Sequence, residues 1–185
     1  MATTSPRRIE LAGQMGLEFE ATRSDYEEDM TLDLPPARLA EELARGKAHG
    51  VREEGIIIGV DTFITHDGRV LGKPRDENQA KKMLQSFSGK EIEVYSGLCI
   101  YDSASKEERI THHRSLIKMA EISEDEIDGY VATGEPMDKA GAFGIQGLGS
   151  VFIERIEGSY SSIVGLPIHE IYKILKEMGQ WRRAR

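Results

Sequence analysis

An aspartate, Asp61, closes the apolar run Ile56-Ile57-Ile58-Gly59-Val60 and is followed by Thr62. A β-branched run of this kind reads as a buried strand rather than an alternating surface one. A carboxylate at its exit is costly to desolvate unless a metal, a cation or a reaction partner compensates it. The commoner fate of a strand-end aspartate is a turn or a helix cap, and Asp61 alone does not decide between the two. Four cations, Arg7, Arg8, Lys47 and Lys73, stand at loop or helix-face positions, and Glu28 belongs to the acidic cluster Asp25, Glu27, Glu28, Asp29. Hard carboxylate oxygens suit Mg²⁺ or Mn²⁺, and Mg²⁺ is often held by one or two carboxylates plus substrate phosphates. Cations around such a metal would neutralise charge that develops during phosphoryl transfer. Each of these signals is weak by itself. Asp61 does not open the phosphatase pattern DxDx[TV], because position 63 is Phe, which disfavours an aspartyl-phosphate mechanism.

The elements that must position these residues follow from caps and periodicity. Ser5-Pro6 starts a helix, with Ser as N-cap and Pro at the first helical position, and Gly16 ends it. Arg7 and Arg8 then occupy the wrong end for the helix dipole, a conflict that a nearby anion would remove. Taken alone, the pair reads slightly better as solvated. Leu17 to Arg23 alternates as a strand. Pro35-Pro36 opens a helix from Ala37 to about His49, whose apolar stripe Leu39, Ala40, Leu43, Ala44 carries Lys47 inward by i, i+4, i+8 spacing. A lysine there usually snorkels outward, or reaches a charged cleft. Phe63 to Thr65 forms a short second strand, turned at His66-Asp67-Gly68 and returning through Arg69 to Pro74.

Asp76 and Gln79 form a capping box for a helix to Phe87, and Ser123 with Glu126 forms another for a helix ending near Gly134. Glu91–Tyr101 and Ile110–Met119 alternate as a hairpin joined by the loop 102–108, with Ile92, Val94, Leu98 and Ile100 on one face. His112 and His113 point to opposite faces and cannot form one metal site. Val151–Ile156 is a strand. A last helix starts at Pro167, buries Ile168, Ile171, Tyr172 and Leu175, and stops at Gly179; the tail Trp181–Arg185 frays.

The least ordinary stretch is Glu135 to Gly149, with four glycines among residues 141–149. Glycines let a backbone approach a ligand closely or take positive φ. The pattern is neither a dinucleotide-binding fingerprint nor a P-loop. The interleaved Phe143, Ile145 and Leu148 suit a packed loop better than a flexible one. Gln146 carries an amide that can read a base edge through one donor and one acceptor.

The 185 residues allow one domain of ordinary size, with 39% hydrophobic and 30% charged residues as in soluble globular proteins. No apolar run approaches the ~20 residues of a membrane helix, and no signal peptide opens the chain. Cys99 is the one cysteine, which fits a reducing compartment and a cytoplasmic location. The net charge of −8 argues against general nucleic-acid binding.

Five ordered segments carry a resemblance. They are Ser5-Pro6-Arg7-Arg8-Ile9-Glu10-Leu11; Asp61-Thr62; Leu71-Gly72-Lys73-Pro74; Glu135-Pro136-Met137-Asp138-Lys139-Ala140-Gly141 with Gly144-Ile145-Gln146-Gly147; and Val164-Gly165-Leu166-Pro167. Together they resemble the Maf family of nucleoside triphosphate pyrophosphatases over essentially the whole chain. The resemblance implies one Maf-like domain over residues 1–185. Its α/β fold is like that of the inosine triphosphate pyrophosphatases: an elongated mixed sheet flanked by helices, two lobes and a nucleotide cleft.

It further implies that Asp61 is the catalytic acid, acting as general base toward water and sitting at a divalent metal, Mg²⁺ or Mn²⁺. Glu28 matches, more loosely, a further metal ligand. Ser5, Arg7, Arg8, Lys47 and Lys73 match phosphate-binding positions. The implied reaction splits the α–β phosphate linkage, releasing a nucleoside monophosphate and pyrophosphate. Arg7, Thr62 and Gln146 match the branch preferring dTTP and UTP, modified pyrimidine forms included. The branch acting on methylated GTP has Asp-Gln in place of Asp61-Thr62 and Ser-Glu in place of Ile145-Gln146. Homodimers are frequent in the family, which leaves a homodimer possible, although the sequence does not reveal the oligomeric state. The family's link to septation gives a second reading, a nucleotide-binding regulator; a dead homologue is disfavoured by the intact charged positions. Family members usually begin with a short apolar strand where this chain has only Met1-Ala2-Thr3-Thr4. A missing strand would leave Arg7 and Arg8 poorly anchored. Phe143 stands where Tyr is more frequent.

Overall fold

The glycines at 59 and 97 set how closely helix and strands pack. A Cβ on Gly59 would lie 2.3 Å from the Ala44 carbonyl oxygen and 2.6 Å from the Ala48 nitrogen, and one on Gly97 would lie 1.8 Å from the Ala40 carbonyl oxygen. Only glycine admits a helix backbone at that distance. The helix so seated is α2 (Pro36–His49), and the strands beneath it are β1 (Ile56–His66) and β3 (Glu91–Asp102). Ala40, Leu43, Ala44 and Ala48 on the helix face are buried, as the apolar stripe requires.

The computed structural model describes residues 1–181; residues 182–185, most of the tail expected to fray, lie outside the described residues. The remaining strands are β2 (Arg69–Leu71), β4 (Glu108–Met119) and β5 (Ile153–Glu157), and the helices α1 (Pro6–Gln14), α3 (Glu77–Phe87), α4 (Glu124–Ala132), α5 (Tyr160–Val164) and α6 (Ile168–Glu177). One five-stranded sheet runs in the order β2-β1-β3-β4-β5, with β1/β2 and β4/β5 antiparallel. The fold is α/β, a sheet flanked by helices. The chain divides into two compact units: residues 1–62, 95–113 and 159 onward form one, and residues 63–94 and 114–158 the other. Among the described residues no helix is long and apolar enough to cross a membrane.

Several expectations are corrected. Asp61 does not end a strand: β1 runs unbroken from Ile56 to His66, because a partner cation removes the need for the chain to turn out to water there. The β1–β2 hairpin closes as read, His66 opposite Arg69, on Asp67 and Gly68 with φ of 49° and 73°. Strand β3 is buried on both faces from Val94 to Ile100, since it is the central strand and alternation marks only one-sided strands. The short helix α5 carries no apolar periodicity long enough to announce it. Residues 148–152 form a 3₁₀ turn before β5 begins at Ile153. Ser123 and Glu126 complete their capping box. Asp76 caps α3 through the Gln79 N–H, but the Gln79 amide oxygen accepts from the Arg75 N–H instead of closing a box.

Leu17–Arg23 is not a strand. Its pairing is limited to a bridge from Thr22 to Ala2, and Ala2 also bridges Gly59, both in the parallel sense. The Ala2 N–H donates to the Ile58 carbonyl and the Thr22 N–H to the Met1 carbonyl. One residue thus stitches residues 17–22 to β1. Beside Met1 lies a cavity of about 950 Å³, bordered by Leu17, Phe19, Ile56, Ile58, Leu166 and Leu175 among others. The Met1 ammonium donates to the Glu20 carbonyl at 2.6 Å, and its pKa is lowered by burial, against the pull of Glu53 and Glu20.

In the second unit, α3, α4 and the glycine-rich segment enclose an aromatic core. Phe87 meets His66 and Phe143 edge-on, at 5.1 and 6.3 Å between ring centres, and Tyr130 meets Phe152 at 5.3 Å. Phe143 packs there at 5% exposure, so a phenyl ring fully serves its position.

Candidate active site

Asp61 is 5% exposed, and its carboxylate accepts a hydrogen bond from the Lys47 ammonium. The close seating of α2 on Gly59 and Gly97 brings Lys47 to that point. The inward reading of Lys47 therefore holds: its side chain is 12% exposed and does not snorkel to solvent. The same Nζ lies 2.8 Å from Glu28 Oε1. One cation thus joins the two carboxylates that the sequence singled out, although Glu28 comes from an exposed segment lacking regular structure.

Arg8 completes this group. Ser5 stands at the N-cap of α1 without a side-chain cap bond, and its N–H donates to the buried Thr3 hydroxyl at 3.1 Å. One turn on, Arg8 Nε donates to the Gly165 carbonyl at 2.9 Å. The Val164-Gly165-Leu166-Pro167 segment thus anchors an arginine, and Gly165 takes φ 131° to do so. The poor anchoring expected from the short N-terminus is not found for Arg8. Burial lowers the Arg8 pKa, with Arg7 adding to the effect, while Asp61 and Glu28 oppose it. The first turn of α1 contains no acid, so the conflict with the helix dipole is met by carboxylates from elsewhere in the unit. Arg7 is exposed.

Both acids converge on one ammonium and offer hard oxygen donors, the kind of set that Mg²⁺ takes from proteins, one or two carboxylates with the remaining positions left to phosphate and water. The residues present fit that group. Among the described residues one group of three, His49, Cys99 and Glu108, brings ligand atoms within 4.8 Å of one another. It does not fit a metal as well. Glu108 is already shared by His49 at 2.9 Å and Arg45 at 3.3 Å, and burial pushes the Cys99 thiol up to about 12. Lys47 would have to leave Asp61 and Glu28 for a dication to bind there, as Arg45 would have to leave Glu108; what sets the group of three apart is the proton firmly held on the Cys99 thiol, which opposes a dication.

Thr62 follows Asp61 on β1, and its hydroxyl lies 2.8 Å from that of Ser96 on β3. Ser96, fully buried, donates to the Ser162 carbonyl at 2.7 Å.

Lys73 and Gln146 belong to the second unit, and both are exposed. Their segments are tied there by backbone: the Gly141 N–H donates to the Gly72 carbonyl at 3.0 Å. The residue that shapes the Gln146 loop is one that sequence reasoning passed over. Glu135 accepts from the Leu148 N–H at 2.8 Å, the Gly149 N–H at 3.1 Å and the Tyr130 hydroxyl at 2.9 Å. Tyr130 in turn accepts from the Gly144 N–H at 3.2 Å. Burial works to raise the Glu135 pKa, but those three donors and nearby Lys139 together hold it below the usual range. Burial and the bond to Glu135 push the Tyr130 hydroxyl pKa up. Two of the glycines now have a cause: a Cβ on Gly147 would lie 2.4 Å from Glu135 Oε1, and one on Gly149 2.5 Å from the Tyr130 hydroxyl. The available signal was a glutamate heading a segment whose glycines recur every two or three residues.

Comparison with known proteins agrees with the ordered motifs. Residues 1–178 match the family described as Maf-like protein. A relative from Clostridium tetani, named dTTP/UTP pyrophosphatase, is 44% identical over 185 residues, covering 97% of this chain and 96% of the relative. Relatives of the same name from Bacillus cytotoxicus and Desulforamulus reducens are 45% and 41% identical, covering 96% and 97% of this chain and 93% and 95% of the relatives. With a family match over nearly its full length and relatives this similar, the chain belongs to the Maf-like protein family.

Proposed function

We propose that this protein hydrolyses nucleoside triphosphates, preferring dTTP and UTP, to the nucleoside monophosphate and pyrophosphate. The observation that carries the reading is the buried Asp61, joined through Lys47 to Glu28 with Arg8 close enough to feel both acids. The relatives' names supply the substrate class. In this reading Asp61 takes the proton of a water molecule whose oxygen attacks the α-phosphorus, the α–β bridging bond breaks, and pyrophosphate departs with the bonding pair. Lys47 holds the Asp61 carboxylate oriented until substrate enters. Arg8, fixed by Gly165, presents its remaining guanidinium donors to phosphate oxygens, and Arg7 and Lys73 add charge by resemblance. Mg²⁺ or Mn²⁺, held by Asp61 and Glu28, would supply charge neutralisation on the triphosphate. Gln146 and Thr62 are assigned to the base.

The test is pyrophosphate release from dTTP, UTP, CTP, GTP, methylated GTP and ITP, each with Mg²⁺ or Mn²⁺. Turnover centred on dTTP and UTP supports the reading; turnover centred on a purine retains the reaction and rejects the assignment of Thr62 and Gln146. Gln146→Glu is expected to cost dTTP and UTP about tenfold or more in kcat/KM, since a carboxylate cannot donate where the amide does. Undiminished activity would remove Gln146 from base recognition.

A further inference from the structure

The hydroxyls of Thr62 and Ser96 form a chain whose direction is fixed at one end. Ser96 has a single proton, and that proton is committed to the Ser162 carbonyl, which can only accept. Ser162 is the middle residue of α5, a helix of five residues, and the last four carbonyls of a helix lack an intrahelical partner. Releasing this bond would strand a buried acceptor, a costly arrangement. Ser96 therefore accepts from Thr62, and the Thr62 proton points inward to Ser96 at 2.8 Å. What Thr62 has left is a pair of acceptor sites on its oxygen. Thr62 is only partly covered while Ser96 and Ser162 are buried, so the outer end of the chain is the end open to a ligand.

Resting on the functional reading above, we propose that Ser96, acting through Thr62, is a positioning residue for base selection: it locks the Thr62 hydroxyl as an acceptor-only group that pairs with the N3–H of uracil or thymine. The triphosphate offers Thr62 no donor. Cytosine places an unprotonated N3 at the same place, so two acceptors would face each other. The preference for uracil and thymine over cytosine would thus originate in the protein interior, two residues behind the surface that touches the base. No alternative orientation is open to Thr62 while Ser96 serves Ser162.

Ser96→Ala removes the lock without touching the ligand. The Thr62 proton can then turn outward and pair with cytosine N3. The experiment measures kcat/KM for UTP, dTTP and CTP by pyrophosphate release, for wild type, Ser96→Ala and Thr62→Val, with thermal unfolding of each to establish folding. Ser96→Ala is expected to lower the UTP:CTP preference by about tenfold, partly through a gain on CTP; Thr62→Val is expected to lower UTP and dTTP with no gain on CTP. A packing role for Ser96 would depress all three substrates together and leave the ratio unmoved. An unchanged ratio in folded Ser96→Ala, with wild type preferring UTP, overturns the proposal alone. Should Ser96→Ala unfold, Thr62→Val decides: a preference for UTP over CTP that survives it overturns the proposal. Wild type with no turnover of any triphosphate would instead overturn the functional reading on which it rests.

Discussion

Asp61 is a buried carboxylate and Glu135 a partly covered one, and the molecule stabilises them in opposite ways. Asp61 is met by side-chain cations, Lys47 directly and Arg8 at longer range. Glu135 is met by backbone N–H groups of Leu148 and Gly149 and by the Tyr130 hydroxyl. A lysine ammonium on a four-carbon stem can swing to another anion. Backbone donors cannot leave without unfolding the loop that carries them. The first arrangement suits a group that must exchange partners during a reaction; the second suits a group that holds shape. Burial of an acid therefore does not by itself mark an active site. The nature of the compensating donor separates the two cases.

The largest expected effect on stability comes from leaving Asp61 without its cation. Lys47→Met should cost about 3 kcal/mol, as removal of one partner from a buried pair does, read as a lowered midpoint in urea unfolding. A loss well under 1 kcal/mol would mean that Arg8 alone suffices. Glu135→Gln comes next. Its amide would point a donor at a backbone donor, so a loss of about 1–3 kcal/mol is expected. That loss should carry a pH signature. The Glu135 pKa is lowered in the folded state, so its contribution is present above the ordinary glutamate value of about 4.3 and disappears as pH falls through the lower folded value. Wild type and Glu135→Gln should therefore converge in stability in acid; a constant gap would contradict the role of ionised Glu135. Adding two or three apolar residues ahead of Met1 should raise stability modestly, about 1 kcal/mol, by filling the cavity beside Met1 and moving the amine out of it. An unchanged unfolding midpoint would show the cavity too open to reward filling. The smallest stability effect is expected for Asp61→Asn, within about 1 kcal/mol, because the Lys47 ammonium keeps Glu28 at 2.8 Å and the amide oxygen still accepts from it.

The sequence made one side of this comparison readable and not the other. Lys47 on the apolar stripe of α2, the acid at position 61 and the Ser-Pro-Arg-Arg start of α1 are local patterns, each dictated by helix or strand periodicity, and the ordered motifs gave the family. Glu135 was opaque because its partners lie 13 and 14 residues along a loop with no period. The continuity of β1 was missed for a related reason: a strand passes through a charged position only when a distant residue compensates it, and position 47 could not be placed over position 61 without the glycine contacts at 59 and 97. Likewise Leu17–Arg23 alternates, yet alternation forms a strand only where a neighbouring ladder exists, and Ala2 offers a bridge one residue long.

The most direct test compares pyrophosphate release from dTTP by Asp61→Asn and Glu135→Gln at a temperature where both are folded. Asp61→Asn should lose a factor of about 10²–10⁴ in kcat, the usual share of a general base, while keeping near wild-type stability; Glu135→Gln should be less stable yet stay within about tenfold of wild-type kcat. If Asp61→Asn turns over dTTP as wild type does, Asp61 is not the base, and the distinction between exchangeable and fixed carboxylates loses its functional meaning.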